Sequence, residues 1–77
     1  MKKIVGIIEK GADGGYTIYA EGGLPLFSNG MTEEEARESF ESLVPEQAEY
    51  MKERTGEYPE WYDKNVVFDY KSAAFLK

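Results

Sequence analysis

Ile4, Val5, Ile7 and Ile8 make a dense β-branched run near the start of this chain. Such residues favour a strand. Apolar side chains fall at both parities of the two-residue repeat, so both faces of that strand need cover. A central place in a sheet is therefore predicted. The run is far short of the roughly 20 apolar residues that span a bilayer. Glu9 and Lys10 close it, so it does not read as a signal peptide. No membrane contact is expected, and the cytoplasm is the expected compartment.

Lys10-Gly11-Ala12-Asp13-Gly14-Gly15 is rich in residues that tolerate positive φ and reads as a six-residue hairpin loop. Beyond it, Tyr16, Ile18 and Ala20 alternate with Thr17, Tyr19 and Glu21, the pattern of a strand with one buried face. Gly22-Gly23-Leu24-Pro25 breaks this strand. Leu26-Phe27-Ser28 is a short third strand, placed at an edge by the preceding proline, and Asn29-Gly30 a turn.

Thr32-Glu33-Glu34-Glu35 is a capping box. The Thr32 hydroxyl can accept from the Glu35 amide, and the Glu35 carboxylate can reach back to the Thr32 amide. Apolar residues follow at Ala36, Phe40, Leu43, Val44, Ala48 and Met51, the helical spacing. Pro45 lacks a backbone donor and crowds the Glu41 carbonyl, which predicts a kink or short break with helix on both sides. Gly56 is a C-cap candidate. Residues 57–64 form an irregular connection, and 65–70 a last strand with Val66, Phe68 and Tyr70 on one face. Residues 71–77 look like the start of a further helical segment, N-capped by Ser72 and cut short. The class is α+β in the order β-β-β-α-β, with one main helix on a mixed sheet of about four strands. Residues 1–70 form the domain. One helix covers one face of such a sheet, yet Tyr19 and Val67 lie on the other. A second subunit, a further domain or a partner protein would cover it.

Composition narrows the chemistry. The 77 residues include no cysteine and no histidine, and net charge is −6 with a pI near 4.6. Disulfides, thiolate metal sites, cysteine nucleophiles and histidine bases are excluded. An acidic chain is also poorly suited to binding phosphate backbones. Residues 33–60 hold ten acidic and three basic side chains, net −7, and the remainder is net +1. Helix-dipole complementation explains the acidic first turn, but not the whole excess. A basic partner is the alternative source of that pattern.

Other candidate constellations have plainer explanations. Gly11 to Gly15 lacks a phosphate-loop pattern and leads into a strand, so it is a turn. Glu9, Asp13, Asp63 and Asp69 could serve a Mg²⁺-dependent nuclease only if several converged, which their spacing does not indicate. Tyr50, Tyr58, Trp61 and Tyr62 could anchor an interface. Covering the core beneath an irregular connection is the favoured role for them.

The order of pieces resembles the N-terminal domain of HicB-family antitoxins. A short apolar strand ends in Glu9-Lys10 and is followed by Asp13-Gly14-Gly15-Tyr16, a Leu24-Pro25 step, and Gly30-Met31-Thr32-Glu33-Glu34-Glu35-Ala36 opening the helix. The resemblance covers roughly residues 1–54. It implies a degraded RNase H-like β-β-β-α-β sandwich without nuclease activity, in which the last strand lies beside the first. It also implies a type II toxin–antitoxin system in which the domain binds and neutralises a small basic, mRNA-cleaving, HicA-like toxin. Autoregulation of transcription through DNA would belong to a segment beyond Lys77. The step at 21–26 departs from the family's glycine-cysteine version, and the Trp61 loop lies outside its common core.

The expected function is thus a binding module, not an enzyme, with no cofactor and no metal. Thr17, Tyr19, Glu21, Val67 and Asp69 are the candidate partner-binding residues, and homo-oligomerisation is expected. The alternatives are a stand-alone oligomeric interaction domain and the nuclease just described.

Overall fold

The computed structural model describes residues 2–73. Strands β1 (Lys3–Lys10), β2 (Tyr16–Ala20) and β3 (Phe27–Gly30) precede helix α1 (Glu33–Thr55), and β4 (Val67–Ser72) follows it. The sheet order is β3-β2-β1-β4. β1 pairs antiparallel with β2 and parallel with β4, and β2 pairs antiparallel with β3. The mixed α+β class and the central place of β1 are as its two-sided apolar pattern requires.

One face of the sheet carries the main core. Ile4, Ile18, Ala20 and Leu26 pack there with Ala36, Phe40 and Val44 of the helix. Ala36, Phe40, Val44 and Ala48 recur every four residues, and all four are fully buried. Leu43 completes the apolar stripe at its half-buried margin. Beyond the helix, Trp61, Tyr62 and Val66 of the irregular connection close over the core. Phe40 meets Phe68 and Tyr70 of β4 edge-on, at centroid distances of 6.1 and 6.3 Å, a favoured aromatic geometry.

The helix runs unbroken from Glu33 to Thr55, so the break expected at Pro45 does not occur. Val44 and Ala48 flank the proline and are fully buried. Their packing holds the helical path despite one missing donor. Thr32 is extended and its hydroxyl accepts from the Glu35 amide at 3.1 Å. The Glu35 carboxylate, however, reaches the Met31 amide at 3.1 Å, one residue before the expected Thr32. At the far end Gly56 adopts φ 88° and its amide donates to the Lys52 carbonyl at 2.7 Å. Only glycine takes that conformation without steric cost.

Several strand boundaries differ from expectation: β2 ends at Ala20, β3 begins at Phe27 and β4 begins at Val67, one or two residues from the expected Glu21, Leu26 and Asn65. Lys10 belongs to β1, which leaves Gly11 to Gly15 as the hairpin loop. It is closed by the Gly11 amide donating to the Gly15 carbonyl at 2.7 Å, and the Gly15 amide to Asp13 at 3.0 Å. Asn29 and Gly30, expected as a turn, continue β3 opposite Thr17 and Tyr16. Lys71 and Ser72, expected to begin a helix, instead extend β4 opposite Ile7 and Ile8. The backbone of β1 offers ladder partners there, and pairing outweighs a weak local helix preference. The rest of the expected helical segment, Ala74 to Lys77, lies outside the described residues. Among the described residues no helix is long and apolar enough to cross a membrane.

Candidate functional site: the open face of the sheet

The helix and the aromatic connection cover one side of the sheet. On the opposite side, strand pairing fixes rows of neighbouring side chains. Phe27, Tyr19, Ile7 and Lys71 form one row across all four strands. Asn29, Thr17 and Glu9 form the next. Val5 stands beside Asp69, and Lys3 beside Val67. Glu21 lies just past β2, and its amide donates to the Val5 carbonyl at 2.8 Å. All five residues singled out from the sequence, Thr17, Tyr19, Glu21, Val67 and Asp69, therefore share this face. They are not one compact cluster. Three lie on or beside β2 and two on the β4 edge, with β1 between them.

Ile7 is the centre of this surface and is only 3% exposed, although among the described residues no helix lies over it. Its cross-strand neighbours are Tyr19 and Lys71. Lys71 extends across β1 to meet Glu21, Nζ to carboxylate 3.3 Å. The aliphatic stem of a lysine held this way shields apolar surface while its head stays wet. Lys3 and Asp69 form a second, looser pair at 3.6 Å. The Thr17 hydroxyl donates to the Asn29 side-chain carbonyl at 2.9 Å. At the β3 corner an open groove of about 710 Å³ runs along Ile7, Tyr19, Leu24, Pro25 and Phe27. Phe27 is 63% exposed and Val67 42%.

The electrostatics separate the two faces. The open face carries three carboxylates (Glu9, Glu21, Asp69) and two ammonium groups (Lys3, Lys71), net −1, and four of these five are paired with each other. The excess of acid lies on α1 and its exit. Part of that excess is used within the fold. Glu33 pairs with Arg37 at 2.8 Å. Glu41 accepts from the Tyr70 hydroxyl at 2.6 Å, and Glu49 accepts from the Tyr58 hydroxyl. Burial, and then the Glu41 hydrogen bond, push the Tyr70 hydroxyl well above the usual tyrosine range, with Arg37 opposing. The Glu49 hydrogen bond is the first cause of a smaller rise at Tyr58.

The other constellations resolve separately. Asp13 is bound into the hairpin turn, Asp63 accepts from the Asn65 amide at 2.7 Å, and Asp69 is paired with Lys3. Among the described residues no three acidic side chains come together where a metal ion could be held. The aromatic quartet divides. Trp61 and Tyr62 pack on the core, whereas Tyr50 is 52% exposed and hydrogen-bonded to Arg54 at 2.9 Å.

Phe27 and Ile7 lie on the open face but are not among the five residues singled out from the sequence. A signal for Phe27 was present, since the exposed Phe27 alternates with its buried neighbours Leu26 and Ser28. Comparison with protein-family models, with curated proteins and with solved structures returned no match.

Proposed function

We propose that this chain is a protein-binding module, the toxin-neutralising domain of a HicB-like antitoxin, and that it captures a small basic ribonuclease toxin without being an enzyme itself. The observation that carries the reading is a four-stranded sheet that, among the described residues, has a helix on one face alone. The other face presents Phe27, Tyr19 and Val67 beside polar groups that can set register. Aromatic anchors within a polar surround are the usual composition of an interface. The order of sequence pieces supports the family, and the acid of α1 would hasten encounter with a basic partner.

Co-expression with the small basic protein encoded beside it tests the reading. A stable complex is expected, weakened by Tyr19→Ala and by Phe27→Ala. Absence of any complex at micromolar concentrations would overturn it.

One observation favours a second reading, an oligomeric domain whose open face is covered by its own copy. The charges of that face are internally paired, so two copies could meet there without opposing their acidic helices. Sedimentation of the pure chain separates the two, since a monomer at high concentration rules out self-coverage.

A further inference from the structure

On the binding-module reading above, we infer that the partner supplies an extended basic segment that adds as a fifth strand to the free edge of β3. Four observations combine. Among the described residues β3 is an edge strand with β2 as its only neighbour in the sheet. The Leu26 carbonyl accepts from the Ala20 amide at 3.0 Å, while its own amide donates to the Leu24 carbonyl; two and four residues on, Ser28 and Gly30 turn their backbone groups toward β2 opposite Ile18 and Tyr16. Alternation then turns the backbone groups of Phe27 and Asn29 outward, ready for another strand.

Beyond its shortness, four residues, the edge lacks the usual protection. Natural sheets guard their edges with lysine, charge or proline. Phe27-Ser28-Asn29-Gly30 carries none of these, whereas β4 holds Asp69 and Lys71, both engaged in ion pairs.

A cleft of about 500 Å³ separates β3 from α1, lined by Phe27, Ser28, Ser39 and Leu43 with Glu38 and Glu46. Neither glutamate has an ion-pair or hydrogen-bond partner among the described residues. No lysine or arginine lines the cleft. Glu33 and Glu41, by contrast, are occupied within the fold by Arg37 and Tyr70.

The spacing fits a strand. Glu38 and Glu46 are eight positions apart, a helical rise of about 12 Å. A strand covers about 13 Å in four residues, and its alternate side chains fall on one side. Lysines or arginines on the helix-facing side of an added strand therefore meet both carboxylates. The intervening residues emerge on the open face against Phe27, which favours apolar side chains there. The partner segment is thus an alternating basic–apolar strand.

The test uses the full chain, isotope-labelled, and a capped alternating Lys–Val peptide of about eight residues, the length of an ordinary strand. Amide hydrogen exchange is followed by NMR. Binding should protect the Phe27 and Asn29 amides and leave the amides of β4 unchanged. Peptide N-methylated at alternate positions should give no protection, and an alternating Glu–Val peptide should not bind. Glu38→Gln with Glu46→Gln should weaken binding about fivefold at low salt, the effect of losing two exposed ion pairs. Asn29→Pro should abolish the protection, because it removes an outward donor, a position where an edge strand tolerates proline.

Protection at β4 in place of β3, unchanged binding of the methylated peptide, or no protection at millimolar peptide would overturn the inference. If the neighbouring toxin still binds when Asn29→Pro is introduced, the strand-addition site falls and the antitoxin reading stands. If no basic neighbour binds the unaltered chain, the antitoxin reading falls independently of the peptide result.

Discussion

Gly6 stands opposite Tyr70 in the parallel β1–β4 ladder, and the tyrosine ring occupies the space above it. A Cβ at residue 6 would lie 3.0 Å from two atoms of that ring and 2.9 Å from Ile18 Cγ2. The same ring meets Phe40 edge-on, lies under the Arg37 guanidinium at 4.7 Å, and donates through its hydroxyl to Glu41. One glycine thereby lets an edge strand dock against the helix.

Gly6→Ala should consequently destabilise the fold by roughly 1–3 kcal/mol, the usual cost of forcing a methyl group into a packed site. Urea unfolding followed by tryptophan fluorescence measures it. An unchanged midpoint would show that the Tyr70 ring moves aside freely.

Tyr70 also makes stability depend on pH. Burial and the Glu41 hydrogen bond hold its hydroxyl proton more tightly in the folded chain than in the unfolded one. The unfolded chain releases that proton first, at about pH 10, so stability present below that value is lost as pH rises beyond it. Tyr70→Phe should lower stability near neutrality by about 1 kcal/mol, the net worth of one hydrogen bond. It should also flatten the fall above about pH 10. Denaturation midpoints for both chains across the alkaline range supply the comparison.

Gly30 meets a stiffer neighbour. A Cβ there would come within 2.9 Å of the Glu35 carbonyl carbon and closer still to the Ala36 amide nitrogen. Backbone at a helix start cannot rotate away as a side chain can, so Gly30→Ala should cost at least about 3 kcal/mol, the upper end for overpacking. Thermal unfolding should show a larger loss than for Gly6→Ala. The reverse order would mean that β3 slides away from α1 at little cost.

Pro45 is carried inside a continuous helix. Pro45→Ala returns a donor for the Glu41 carbonyl and removes the ring clash, and proline costs about 3 kcal/mol relative to alanine in a helix interior. A gain of roughly 1–3 kcal/mol is expected, the lower figure if the helix has already adjusted to the ring. A loss of stability would show that the ring itself contributes packing.

The sheet, the capped helix and the sidedness of each strand were legible in the sequence because each rests on local periodicity. Tyr16, Ile18 and Ala20 alternate, and Ala36, Phe40, Val44 and Ala48 recur every four residues. Residues where local and tertiary preferences oppose each other were not legible. Lys71 and Ser72 follow the ladder of β1, and Asn29-Gly30 continues a strand where its residue types suggest a turn.

The same division applies to the candidate site. Thr17, Tyr19, Glu21, Val67 and Asp69 could be placed on one face from parity alone, which is a property of each strand taken by itself. Parity does not say which strand lies beside which. The row of Phe27, Tyr19, Ile7 and Lys71, the Lys71–Glu21 pair across β1, and the cleft of Glu38 and Glu46 beside the bare β3 edge all depend on strand order and helix placement. The sequence by itself determined that α1 could cover only one sheet face and that it would hold the acid. Only the tertiary structure decided that the open face is nearly neutral, because its charges pair across strands that are distant in sequence and adjacent in space.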